Sequence, residues 1–342
     1  MTAARAWLWA TIMLTAGALA SAIALAPPPG ARPARALTWL LFTGSSVHVA
    51  STGWLFTVPA VRAYARKHTV RCLWMPVSLV VIAALAAAAI RPAVFGWLLL
   101  PFFGWQLFHY QKQNLGMASL AASAQRIRPL LPAERRPLLL AGISAAAAVA
   151  ARPGLLGLRL ALPAPAAAAF PLAVAAYAVA VAAGLAALAR RPAAQRPAAF
   201  CLTYLGCLFF SLPAIVFSSP YAAVGGMTVA HGLQYLLLIA LVAGGSGPAA
   251  ARQSSRLVRL SLLANIALIG GAALSSASHL HDAGWPGRCV FGAYLGVVMA
   301  HFVVDAGLWR MRDPLARNFL VTNLPCLVPP TDPSPADIGC HS

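Results

Sequence analysis

A chain of 342 residues with 61% hydrophobic and 9% charged residues is too apolar for an ordinary soluble domain, in which about a quarter of the residues are charged. The net charge of +19 does not indicate a nucleic-acid partner, because the arginines lie mostly in short gaps between apolar runs, where they set membrane topology. The six cysteines form no CxxC pair, which argues against a zinc knuckle or an iron–sulfur site.

Ten apolar runs follow one another along the chain and predict an all-α polytopic transmembrane helical bundle. The first run could be a signal peptide, but its length favours a retained helix. The fifth is short for a crossing of about 20 residues and is followed by Pro153 and Gly154, so it could be tilted or re-entrant. We expect the spans at residues 6–26, 37–61, 72–90, 93–120, 137–151, 165–189, 197–219, 222–245, 257–276 and 287–309.

Basic residues alternate along the gaps between these spans. The gap after span 2 contains Arg62, Arg66, Lys67 and Arg71, and the gaps after spans 4, 6 and 8 are similarly basic, whereas the gaps after odd-numbered spans hold fewer arginines. Because basic loops stay in the cytoplasm, we expect both termini to be cytoplasmic, in a plasma or inner membrane. We predict one transmembrane domain over residues 1–320 and a Pro-rich, disordered cytoplasmic tail over residues 321–342.

Four of the eight histidines lie inside predicted spans, one each on spans 2, 4, 8 and 10: His48, His109, His231 and His301. Ionisable residues inside a membrane are costly and usually functional. All four spans are predicted to run from outside to inside, and the histidines lie about 9 to 16 residues from the outer ends, which places them within about 10 Å in depth. Each could simply bond a neighbouring helix, but their common depth predicts a shared metal site.

Polar residues follow these histidines one helical turn later, on the same helix face. Gln113 follows His109, Tyr235 follows His231, and Asp305 follows His301; Asp305 is the only carboxylate inside any predicted span. A metal-bound imidazole usually donates its other N–H to a carboxylate, carbonyl or water. Gln113, Tyr235 and Asp305 are therefore the candidates that would orient the ligands or relay protons.

The distribution of one imidazole on each of several helices resembles the Brp/Blh-type integral-membrane carotenoid dioxygenases. The stretch HFVVD at residues 301–305 is similar to the His-Phe helix motif of that family, which a following Asp accompanies. The family's signature Pro-His-Gly motif is absent, and AHG at residues 230–232 is a poor substitute for it. The resemblance implies that the four histidines hold one iron, the metal with which that family cleaves β-carotene to retinal.

We therefore expect a metal-dependent membrane oxidoreductase or oxygenase, with iron the favoured metal. Its partners would be the lipid bilayer, a lipid-soluble substrate such as a lipid or an isoprenoid, and an electron donor. A dimetal site with Asp305 as a further ligand also fits the residues. One alternative function is a b-type haem electron carrier with the same histidines as axial ligands, and another is a transporter or proton pathway that uses His301 and Asp305.

The predicted orientation can be checked with reporter fusions. A fluorescent protein that folds only in the cytoplasm should be bright when it is fused after residue 342 and dark when it is inserted beside Arg159. Alkaline phosphatase, which is active only outside the cytoplasm, should give the opposite pattern at the same two positions. The reverse result at either position would contradict the assignment from the basic loops.

Overall fold

The computed structural model describes residues 2–28, 30–245, 256–310 and 313–328, and all regular secondary structure in these ranges is helical, as predicted. Alanine and leucine, which are strong helix formers, make up much of the chain. The α-helices are α1 (Ala3–Ala24), α2 (Arg35–Phe42), α3 (His48–Leu55), α4 (Pro59–Lys67), α5 (Met75–Ala89), α6 (Pro92–Ala124), α7 (Pro132–Ala150), α8 (Ala164–Ala167), α9 (Ala169–Ala189), α10 (Ala198–Phe209), α11 (Leu212–Val216), α12 (Gly226–Gly244), α13 (Arg256–Ser278), α14 (Trp285–Leu308) and α15 (Pro314–Asn323).

Seven helices in the described ranges are long and apolar enough to cross a membrane, which makes this a membrane protein. They coincide with predicted spans 1, 3, 6, 7, 8, 9 and 10. The other three predicted spans are helical too, but the count of ten spans and the cytoplasmic termini stay predictions. The seven are Ala3–Ala24, Val70–Ala89, Ala164–Ala189, Ala198–Val216, Tyr221–Gly244, Arg256–Ser278 and Trp285–Leu308.

Predicted span 2 differs from the helix that the structure contains. We expected helix to residue 61, but α3 ends at Leu55 and α4 begins at Pro59. Proline fixes its own backbone for a first helical turn and pushes the preceding residue into an extended conformation, and Val58 is extended. A π-helix, Thr43–Val47, also separates α2 from α3.

The first of two compact units contains Met1–Thr38, Phe103–Gln234 and Pro325–Ser342. Within it α6 lies against α7, where Gly142 faces Gln111: a Cβ at Gly142 would lie 2.3 Å from the Gln111 Cγ. The Gln111 amide also donates to the Leu138 carbonyl at 2.6 Å. Helix α1 belongs to the same unit, because the Gln234 amide donates to the Thr15 hydroxyl at 2.8 Å.

The second unit contains Trp39–Phe102 and Tyr235–Leu324. Small residues let helix backbones approach closely inside a membrane protein, and two of the glycines that do so here lie beside the candidate histidines' helices. A Cβ at Gly296 of α14 would lie 2.4 Å from the Val80 Cα of α5, and a Cβ at Gly271 of α13 would lie 2.9 Å from the Val47 side chain. These contacts fix the position of α14, which carries His301, and of the π-helix Thr43–Val47 directly before His48.

The carboxyl-terminal end of the described chain is partly helical. Helix α15 reaches Asn323, so it includes the first three residues of the predicted tail, 321–342, and residues 329–342 lie outside the described ranges. The assignment of residues 1–320 to one domain stays a prediction.

A buried carboxylate holds the loops of the first unit at the start of α7. Glu134 receives two hydrogen bonds from the Arg128 guanidinium, at 3.0 and 3.1 Å, and one from the Leu131 N–H at 2.7 Å. The Nε atom of Arg191 lies 3.6 Å from the same carboxylate, and that side chain is 0% exposed. Burial lowers the pKa of the Arg191 guanidinium, and the negative charge of Glu134 opposes this shift.

The substitution Glu134→Gln should lower the free energy of unfolding by about 3 kcal/mol, because it leaves the buried Arg191 charge without its carboxylate. Unfolding in mixed detergent micelles, followed by circular dichroism, measures the change. Arg136→Gln, at an exposed position of the same helix, is the matched control and should change the free energy by less than about 0.5 kcal/mol. Equal effects of the two substitutions would show that the ion pair contributes nothing specific.

Candidate metal-binding histidines

The four histidines that the sequence singled out are all buried. The exposed fractions are 3% for His48, 8% for His109, 1% for His231 and 3% for His301. His109 and His231 belong to the first unit, and His48 and His301 belong to the second. Each unit therefore contains a pair of buried imidazoles, and buried clusters of this composition could hold a metal ion.

In the second unit the rings of His48 and His301 are perpendicular neighbours. Their centroids are 5.0 Å apart and their planes meet at 78°. A nitrogen of each ring lies within 4.8 Å of a nitrogen of the other. Two nitrogens that bind one metal at about 2.1 Å can be at most about 4.2 Å apart, so this pair is close to the spacing that a shared metal requires.

The local chain geometry explains how His48 reaches this position. It is the first residue of α3, directly after the π-helix Thr43–Val47. One extra residue in a helical turn rotates everything after it by about 100°, and such turns are frequent at functional sites. Val47 packs against Gly271 of α13, which holds the π-helical turn in place.

A chain of three hydrogen bonds joins the candidate residues of the second unit. The Thr52 hydroxyl lies 2.7 Å from the Nδ1 of His301 and 2.8 Å from the hydroxyl of Tyr235. Tyr235 donates to the Oδ1 of Asp305 at 2.8 Å, and the Oδ2 of Asp305 lies 3.7 Å from the Nε2 of His301. The structure therefore brings Tyr235 and Asp305 together around His301. The Tyr235 ring also stands edge-on to His48, with centroids 5.9 Å apart.

The first unit contains a second pair with nearly the same ring geometry. The centroids of His109 and His231 are 5.0 Å apart and their planes meet at 77°. Here a tyrosine stacks on one of the imidazoles: the Tyr110 ring lies 4.2 Å from that of His231, at 28°. The face of an aromatic ring attracts positive charge, so this contact favours a cationic or metal-bound imidazole.

The third candidate for an orienting role, Gln113, contacts the main chain of α12 rather than an imidazole. Its amide donates to the His231 carbonyl and to the Gln234 Oε1, both at 3.0 Å. Gln234 in turn donates to Thr15 of α1. Gln113 therefore positions the helix that carries His231, through the His231 carbonyl and the Gln234 side chain.

Sequence reasoning did not single out Tyr110, or the groups that hold its hydroxyl. That hydroxyl accepts a hydrogen bond from the Gln106 amide and lies 2.9 Å from the Thr228 hydroxyl, which itself donates to the Val224 carbonyl. Tyr110 directly follows His109, so the two side chains project about 100° apart on one helix. A search for partners one turn later passes over such a residue, and only its contact with His231 reveals it.

Comparison of the chain with protein-family profiles, with curated proteins and with solved structures finds no match. The resemblance to the Brp/Blh-type carotenoid dioxygenases therefore stays an expectation from the residues.

The substitution Tyr235→Phe should lower the free energy of unfolding by about 1–2 kcal/mol, because the buried Asp305 loses the hydroxyl that donates to it. Unfolding in mixed micelles measures the difference. Tyr177→Phe is the control, because the hydroxyl of Tyr177 is buried but makes one long bond, 3.4 Å, to a carbonyl. If both variants lose the same stability, the hydrogen bond to Asp305 has no special weight.

Proposed function

We propose that this protein is an integral-membrane, iron-dependent oxidoreductase, an oxygenase, that acts on a lipid or an isoprenoid. The observation that carries the proposal is the pairing of buried imidazoles in both units, with ring centroids 5.0 Å apart in each pair. Neutral imidazoles are suitable ligands for iron, copper and zinc. Iron, when bound, would activate oxygen for attack on the substrate.

The donors of the second unit fit a non-haem iron. His48 and His301 offer two nitrogens, and Asp305 offers a carboxylate oxygen 3.7 Å from the Nε2 of His301. That separation is below the roughly 4.2 Å that two ligands of one metal can span. Two histidines and one carboxylate with open positions are the ligand set of non-haem iron(II) oxygenases.

The first unit adds the imidazoles of His109 and His231. The face of Tyr110 lies against His231 and favours positive charge there. The carboxylate of Asp305 beside His301 and the ring face of Tyr110 beside His231 therefore both favour a cation bound at the histidine pairs. The four histidines are the proposed metal ligands, with Asp305 as a further ligand in the second unit.

Tyr235 and Asp305 are proposed to transfer protons, and Gln113 is proposed to position a helix. Tyr235 and Asp305 share a hydrogen bond at 2.8 Å, so a proton can pass between them and the chain of hydroxyls that ends at His301. Gln113 sets the position of α12. The proposed substrate class is supported by the apolar membrane helices around the histidines and by the resemblance to carotenoid dioxygenases. The electron donor would dock from the cytoplasm.

Haem fits the pairs less well than a bare metal ion. Two axial imidazoles on opposite faces of a haem have ring centroids roughly 6 Å apart, since each nitrogen lies about 2 Å from the iron. The rings of each pair are closer than this, at 5.0 Å. A proton pathway is the second candidate function, and the hydrogen-bonded chain from His301 through Thr52 and Tyr235 to Asp305 is the observation that favours it.

Metal analysis with an absorption spectrum of the protein purified in detergent tests the proposal. We expect stoichiometric iron without a Soret band, and loss of the iron in His301→Ala and in His231→Ala. Two irons per chain would indicate one centre in each unit. His68→Ala, at a partly exposed position outside both pairs, is the matched control and should keep the iron.

Other results would replace the proposal. A Soret band that disappears in the two alanine variants would mean a haem electron carrier. A protein that takes up no metal after loading with iron, copper or zinc would not be a metal enzyme, and proton movement through reconstituted vesicles, lost in Asp305→Asn, would then support the pathway function.

A further inference from the structure

We propose that Thr52 holds His301 in the tautomer that carries its proton on Nδ1, so that the Nε2 lone pair is presented for a metal. This inference rests on the proposed function only in naming a metal as the ligand. The protonation pattern itself follows from the number of protons that the hydrogen-bonded chain contains.

The chain has a single direction. With Asp305 ionised, the state in which it could bind a metal, its oxygens can only accept, so Tyr235 donates its one hydroxyl proton to Oδ1. The 2.8 Å contact between Tyr235 and Thr52 therefore needs the Thr52 proton, with the Tyr235 oxygen as acceptor. Thr52 then has no further proton to give, so the 2.7 Å contact with His301 needs a proton on Nδ1.

The consequence for His301 concerns its other nitrogen. A neutral imidazole with Nδ1 protonated carries its lone pair on Nε2. Nε2 is the atom that lies 3.7 Å from the Oδ2 of Asp305, so in the neutral imidazole the Nε2 lone pair and a carboxylate oxygen face each other at that distance. Two electron-rich atoms repel, and a cation between them turns this repulsion into attraction.

Thr52 thus performs the task that a carboxylate or carbonyl performs for most metal-bound histidines. Asp305 acts on Nδ1 indirectly, through Tyr235 and Thr52, while its second oxygen remains directed at Nε2. Thr52 also lies four residues after His48, so α3 supplies one proposed ligand and the group that orients another. A threonine at this position has few side-chain rotamers, which keeps its hydroxyl on the line between the two partners.

The tautomer can be read directly by nitrogen NMR on metal-free protein labelled with [15N]histidine, with His301→Gln used to assign the signals. Protonated and unprotonated ring nitrogens resonate far apart. We expect an Nδ1-protonated signal for His301 in the unsubstituted protein and in Thr52→Ser, and a mixture or the opposite tautomer in Thr52→Val. Because no metal is present, this result does not depend on the proposed function.

Binding of Co²⁺, followed by its visible absorption bands, measures the consequence for a metal. Thr52→Val should weaken Co²⁺ binding about 10- to 100-fold, and Thr52→Ser by less than about 3-fold, because serine keeps the hydroxyl. Ser51→Ala is the matched control: Ser51 is fully buried on the same helix, but its hydroxyl donates only to the His48 carbonyl, so Co²⁺ binding should be unchanged.

Two results would overturn the inference. One is an unchanged His301 tautomer in Thr52→Val, and the other is a Thr52→Ser variant that binds Co²⁺ as weakly as Thr52→Val while it remains folded by circular dichroism. If the unsubstituted protein binds no Co²⁺, iron or zinc but the NMR pattern is as expected, the proposed function fails and the role of Thr52 in fixing the tautomer stands.

Discussion

A carboxylate inside a membrane helix is the constraint on which the second unit depends. An ionised Asp305 costs several kcal/mol in such surroundings unless hydrogen bonds or positive charge compensate it. Tyr235 supplies one hydrogen bond, and His301 stands one turn earlier on the same helix with its Nε2 facing the second oxygen. Compensation therefore needs a side chain from α12 and a hydroxyl from α3 beside α14, and it requires these helices to lie close together.

Glycines and a π-helical turn meet that requirement. Gly296 brings the backbone of α14 onto α5, and Gly271 brings α13 onto Val47 at the end of the π-helix. The π-helical turn then sets the rotation of α3, which places His48 beside His301 and Thr52 between His301 and Tyr235. Because each contact involves a glycine or an extra residue in a turn, modest changes in side-chain size there would move the proposed ligands.

The first unit also contains an imidazole pair and a buried carboxylate, but the two are surrounded by different groups. Its imidazole pair has the same centroid distance, but an aromatic face rather than a carboxylate accompanies it, in the form of Tyr110 against His231. Its buried carboxylate, Glu134, lies at the start of α7 between Arg128 and Arg191 and is fully occupied by them. Glu134 is therefore structural, whereas Asp305 keeps an oxygen directed at a histidine nitrogen.

Composition and residue spacing were enough to predict the helical membrane class and the buried ionisable residues. Apolar length gave helices at all ten expected places, and the rarity of ionisable residues in a membrane identified His48, His109, His231, His301 and Asp305, all of which are buried. Helical periodicity also paired Asp305 with His301, because residues four apart share a helix face.

The packing of the helices against one another decides the remaining contacts. His301 lies beside His48, Tyr110 stacks on His231, and Tyr235 donates a hydrogen bond to Asp305. The tertiary structure also decides that α3 ends at Leu55 and begins after a π-helical turn. The physical reason is that periodicity describes neighbours on one helix. Partners on other helices depend on how closely glycines let the backbones approach, and on a rotation of about 100° from one inserted residue, which the hydrophobic pattern does not record.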